Sequence, residues 1–181
     1  MAIPTLISTS TASNSSSIDI TSGIDSTYDE YMFVLTDMHP ETDRQKILFQ
    51  VNASGQSGFN EVMTTTSFIA YHNESDGNTA LGYRSGADQE QGTAYQKITE
   101  EIDNDNDSST AGILHLFSPS STTYVKHFYH RSSDSNDTGS GMFSNASFSA
   151  GYINVTAAID EISFKFASGN MNGTIQMYGI A

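Results

Sequence analysis

The chain contains no cysteine and no tryptophan, and it sets only seven basic residues against 21 acidic ones. Without thiols there is no disulfide framework, no thiolate zinc site and no cysteine nucleophile. Without tryptophan the favoured stacking platform for a sugar ring is gone, and tyrosine is left to take its place. The seven cations, Lys46, Lys97, Lys126, Lys165, Arg44, Arg84 and Arg131, are scattered through a chain of formal net charge −14. A phosphate-reading surface needs cations in number, so neither nucleic acid nor an anionic membrane is expected as a partner. The start, Met1 to Ser8, lacks a basic region and a long apolar run, and no later stretch reaches membrane-spanning length. A soluble product made in the cytoplasm is expected.

What is present points to strands. A length of 181 residues suits one domain, in which folding removes roughly 70% of the unfolded chain's surface from water. Charged residues make up 15%, while nine tyrosines and ten phenylalanines stand among many serines, threonines, asparagines and glycines. A disordered chain pairs high charge with few aromatics, and this one does the reverse. The acidity itself reads as a device for solubility, since like-charged surfaces repel.

Period-two alternation places every second side chain on one face of a sheet. In Glu161 to Phe166, Ile162, Phe164 and Phe166 share one face, and Glu161, Ser163 and Lys165 the other. Thr174 to Tyr178 alternates as well, after the turn-prone Gly169-Asn170-Met171-Asn172-Gly173, which predicts a C-terminal hairpin. Further strands are predicted at Ser16 to Ile20, Glu30 to Asp37, Lys46 to Asn52, Ile113 to Phe117, Thr122 to His130 and Ser144 to Val155. Glu61 to Tyr71 is read as a strand, although Gly58, Asn60 and Glu61 resemble a helix start. Polar stretches at Asn73 to Asn78, Glu101 to Thr110 and Arg131 to Gly141 read as surface loops. The Ser/Thr-rich start suggests an N-terminal arm over residues 1–17, ordered only against a neighbour, before a single β-sandwich domain over 18–181. No internal repeat is present, and the fold expected is an all-β antiparallel sandwich of jelly-roll type.

Motifs for chemistry are sparse. Asp103, Asp105 and Asp107 alternate as at the start of a calcium loop, and they are the candidate metal ligands. The match ends there, because the sixth position is Ser108 instead of glycine and the twelfth is Leu114 instead of glutamate. Of the five histidines, His127 and His130 would point to opposite faces of one strand, and His115 alternates with Ile113 and Phe117 on a packed face. There is no HExxH, no GxSxG and no phosphate-binding glycine loop; Gly139-Ser140-Gly141 is a glycine pair in a polar stretch. Glu100 and Glu101 are adjacent, and so poorly placed as a glycosidase pair. No enzyme activity and no cofactor are expected.

Four stretches carry a resemblance: Ile24 to Tyr31, Met38 to Asp43, Leu114 to Phe128 and Gly173 to Ile180. They resemble a family of structural proteins encoded by tailed phages, especially marine and cyanobacterial ones. The resemblance implies a place in the virion and brings no catalytic residues with it. The expected role is a decoration or cement protein on the outer surface of the capsid; the alternative is a tail fibre or tail appendage that binds a receptor glycan. The expected partners are other copies of the chain, as a trimer, and the major capsid protein or other virion proteins.

Overall fold

The computed structural model describes residues 3–137 and 141–181. Alternating burial generates twelve strands among the described residues: β1 (Thr5–Ser15), β2 (Ile18–Ile20), β3 (Glu30–Pro40), β4 (Ile47–Ala53), β5 (Met63–Asn73), β6 (Thr79–Tyr83), β7 (Gln96–Lys97), β8 (Thr110–Phe117), β9 (Lys126–Asp137), β10 (Met142–Ile153), β11 (Ile159–Phe166) and β12 (Met171–Ile180). There is no helix among them, hence none long and apolar enough to cross a membrane.

The strands form two antiparallel sheets, one of eight strands in the order β1-β12-β3-β8-β9-β10-β5-β6 and one of four in the order β2-β11-β4-β7. The chain is an all-β sandwich. Its core lies between the smaller sheet and the β12, β3 and β8 part of the larger one, and extends to Phe128, Ile153 and Met63 at the near ends of β9, β10 and β5. Phe33 meets Phe164 at 5.7 Å between ring centroids, and Phe49 meets Phe128 edge-on at 4.8 Å. Around them Tyr31, Leu35, Ile47, Val51, Ile162 and Met177 are fully or almost fully buried. Truncating one of these phenylalanines to alanine costs about 3–5 kcal/mol.

The predicted C-terminal hairpin is not formed. β11 pairs with β2 and β4 in the small sheet, whereas β12 pairs with β1 and β3 in the large one. The glycine-rich turn does reverse the chain, but it carries it across the sandwich, so that Phe164 and Ile175 reach one core from opposite sides. The Ser/Thr-rich start differs too. From Thr5 it is strand β1, paired with β12 inside its own chain, and Met1 and Ala2 lie outside the described residues. The stretch from Arg131 is not a loop up to Asp137; it continues β9, with Ser132, Asp134 and Asn136 buried in alternation. Thr138, Gly139 and Ser140 lie outside the described residues.

Register shifts bend the large sheet where β3 meets both its neighbours. β3 slips against β8 between Leu35 and Met38, and β12 slips against β3 between Asn172 and Thr174. Asp37 at φ 52° and Gly173 at φ 126° mark the two bulges. A Cβ on Gly173 would sit 2.7 Å from the Asp37 carbonyl oxygen and 2.9 Å from the Met38 Cα, and neither backbone atom can step aside. Gly173→Ala is therefore expected to destabilise the fold by about 2 kcal/mol, read as a melting temperature lowered by roughly 4–8 °C in a thermal denaturation monitored by circular dichroism. An unchanged melting temperature would contradict this account of the bulge.

Candidate functional site

The outer face of the eight-stranded sheet is built by register. One row of directly opposed residues runs through Gln176, Val34, Ile113, Arg131, Phe148 and Phe68, and it ends in Tyr83 on the edge strand β6. The next row runs through Tyr178, Met32, His115, Tyr129, Ala150 and Thr66. Neither row holds a carboxylate, although the chain has 21. Beyond the second row, Glu30 on β3 accepts a hydrogen bond from His115 Nδ1.

Aromatic rings gather at two corners of this grid. Phe68 and Phe148 stack at 4.7 Å with an interplanar angle of 7°. Tyr129 stacks on His115 at 4.5 Å and on Phe117 at 5.7 Å. Tyr129 remains 46% exposed and Phe68 43% exposed, so both present ring faces to solvent. The small side chains of Ala150 and Thr66 leave a groove of about 470 Å³ between the two ring pairs, bordered by Ile113 and Arg131. A second depression of about 600 Å³ lies on the other side of Arg131, along Val34, Thr36, Ala111 and Ser133.

Behind this face much of the inner side of β9, β10 and β5 is polar, while Met63, Phe128 and Ile153 at one end join the core. The buried Asp134 carboxylate accepts from Thr110 Oγ1, from Ser147 Oγ at 2.7 Å and from the Glu100 backbone N–H at 3.2 Å. Burial pushes its pKa up, against the pull of those hydrogen bonds. His130, on the same strand face, is fully buried, and neither ring nitrogen meets a partner among the described residues, so burial alone lowers its pKa to about 3. Lys126 is buried at the other end of β9 and donates to the carbonyls of Val155 at 3.1 Å and Ala157 at 2.5 Å.

The residues singled out in the sequence do not converge. Asp103 is buried; its Oδ2 accepts the Asp137 backbone N–H, and desolvation raises its pKa. Asp107 lines a polar cavity of about 590 Å³ with His39, Glu41 and Asn172, and neither Asp103 nor Asp105 lines it. Among the described residues no group of three or more histidines or carboxylates is placed to hold a metal ion. Glu100 and Glu101 hold different arginines, Arg84 and Arg44. His127 points outward and His130 inward, while His115 lies on the outer face with Ile113 and Phe117, outside the core.

No protein-family model, no curated protein and no solved structure matches the chain. The face must therefore be read from its own chemistry. It offers flat apolar rings, shallow concavity and one guanidinium, which suit recognition. Contiguous exposed apolar surface of this kind marks interaction sites on water-soluble folds.

The buried histidine yields a pH test. A base whose folded pKa lies below its unfolded value of about 6.5 takes up its proton only in the unfolded chain, so stability falls as pH drops from 6.5 toward 3. The loss is up to about 1.4 kcal/mol per pH unit. Asp134, whose pKa is raised, acts in the opposite sense in acid. His130→Leu keeps the volume, removes two unpaired nitrogens and is expected to raise the midpoint of urea unfolding at pH 5 more than at pH 7.5. Equal shifts at the two pH values would show that His130 does not carry the acid sensitivity.

Proposed function

We propose that the chain is a non-catalytic structural protein of a bacteriophage particle, held on the outside of the head as a decoration protein. The observation that carries a binding role is the outer face of the large sheet, aromatic and almost free of carboxylates in a chain of net charge −14. The negative charge elsewhere keeps the protein away from packaged DNA, which favours the exterior.

The strand pairing supports a jelly-roll framework. β1 pairs with β12, β2 with β11, β3 with β8 and β4 with β7, all antiparallel. Four nested pairs describe one long two-stranded ribbon wound into two sheets, into which the hairpins β5–β6 and β9–β10 are inserted. The edge strands β1 and β6 stand at opposite ends of the large sheet, with Leu81 on β6 73% exposed. Two unlike open edges suit a head-to-tail contact that closes into a ring, and a trimer is our reading of it.

A second reading, a tail appendage that binds a glycan, draws support from the aromatic groove beside Arg131. Electron microscopy of purified particles distinguishes the two. Head density with a copy number that tracks the major capsid protein is the expected result, and a handful of copies at the tail vertex would promote the second reading. Light scattering of the isolated chain is expected to give three times the monomer mass, and a monomer at high concentration would remove the ring.

A further inference from the structure

We infer that the two depressions flanking Arg131 form one site for an acidic oligosaccharide, in which the Arg131 guanidinium grips a sugar carboxylate and Tyr129 and Phe148 pack against ring faces. The inference deepens the reading of the chain as a binding component on the particle's exterior and rests on that reading for its biological setting alone.

Charge is the first argument. Six of the seven cations are engaged: Arg44 with Glu101, Lys46 and Arg84 with Glu100, Lys97 with the Gly86 carbonyl, Lys126 with two carbonyls, and Lys165 over the Tyr95 ring at 4.1 Å. Arg131 is the seventh. It is exposed, and its guanidinium makes no hydrogen bond or ion pair with a described residue, in a chain where acids outnumber bases threefold. Its neighbours across the strands are Ile113 and Phe148, whose side chains offer it no hydrogen-bond acceptor. A planar guanidinium with open donors fits a carboxylate bidentately.

Shape is the second. Arg131, Ile113 and Phe148 line both depressions, about 470 and 600 Å³, so the cation stands between two shallow apolar beds. A ligand of several linked rings can lay one on each side and present its charge at the junction. Tyr129 and Ala150 are directly opposed, and Ala150 leaves the space over which a ring rests beside the exposed tyrosine. Pyranose rings offer apolar C–H faces to aromatic rings and hydroxyls to water, which matches beds that remain open to solvent. Nucleic acid fits poorly, since a phosphate chain calls for many cations and the grid supplies one. A second copy seated face to face about a two-fold axis would bring Arg131 toward its own equivalent.

The test uses the full-length chain with trigalacturonate, its fully methyl-esterified form and poly-L-glutamate, measured by titration calorimetry and by saturation-transfer nuclear magnetic resonance. Trigalacturonate is expected to bind at least about tenfold more tightly than the ester, the loss that follows from removing a charged hydrogen-bonded pair. Arg131→Gln is expected to weaken the acid at least about tenfold while leaving the ester unchanged, and Tyr129→Ala to weaken both. Both side chains are exposed, and melting curves confirm that the variants fold. Equal affinity for acid and ester, an unaltered Arg131→Gln, or equal competition by poly-L-glutamate would overturn the proposal. So would a glycan array bearing sialylated and uronic acid saccharides that retains none of them. Binding by the isolated chain does not depend on where it sits in the particle, so these failures are separate from a failure of the exterior location.

Discussion

An eight-stranded sheet opposed by a four-stranded one leaves half of its inner face without a partner sheet, and the rest of the structure follows from how that half is closed. Over β12, β3 and β8 the answer is a phenylalanine-rich core. Over β9, β10 and β5 the cover is the short strand β7 with the irregular chain on either side of it, whose backbone brings amide and carbonyl groups that need partners. The middle of the inner face there is accordingly polar, from Thr65 and Ser67 through Ser147 and Ser149 to His130, Ser132 and Asp134. Gln96 accepts from Thr65 Oγ1 at 2.7 Å and donates to the Ala87 and Lys97 carbonyls at 2.7 Å, and Asp134 ties β8, β9, β10 and the Glu100 amide together. Burying a carboxylate costs several kcal/mol if it is left bare, and three donors offset that cost.

The same constraint explains what the sequence reveals and what it conceals. Ile162, Phe164 and Phe166 advertise β11 because their inward side is apolar, and the all-β character is visible throughout. The end of β9 reads as a loop because its buried positions are Ser132, Asp134 and Asn136. Alternation is inverted there: β10 turns Ser147 and Ser149 inward and Phe148 outward, opposite to the usual rule. β6 is exposed at all five positions and carries no pattern, while β1 is rich in serine and threonine and touches the core only through Ala12 and Ile7, so that the ladder to β12 does most to make it a strand. Partners are concealed as well. The turn before β12 signals a reversal without stating whether the returning strand lies beside β11 or across the core from it.

The outer face was illegible for a different reason. Phe68, Ile113, Arg131 and Phe148 come from four strands, and only the cross-strand register assembles them into one row. No local motif can announce such a site. What the sequence does contain is a hint in its charge: Arg131 falls in a serine-rich stretch, two residues from Tyr129, on the side of β9 away from Asp134.

The groove lies on a seam. Ile113 and His115 belong to β8, a strand of the wound ribbon, whereas Tyr129, Arg131, Phe148 and Phe68 sit on hairpins inserted into that ribbon. Among the described residues the one strand ladder between ribbon and inserts joins β8 to β9, and side chains add Thr65 Oγ1 and Ser149 Oγ, which donate to Gln96 and Lys97 on β7. The outward positions of the inserted hairpins can therefore change without altering the pairing of the wound framework. The chemistry of the outer groove and the pairing of the ribbon are in this way written in largely separate parts of one chain.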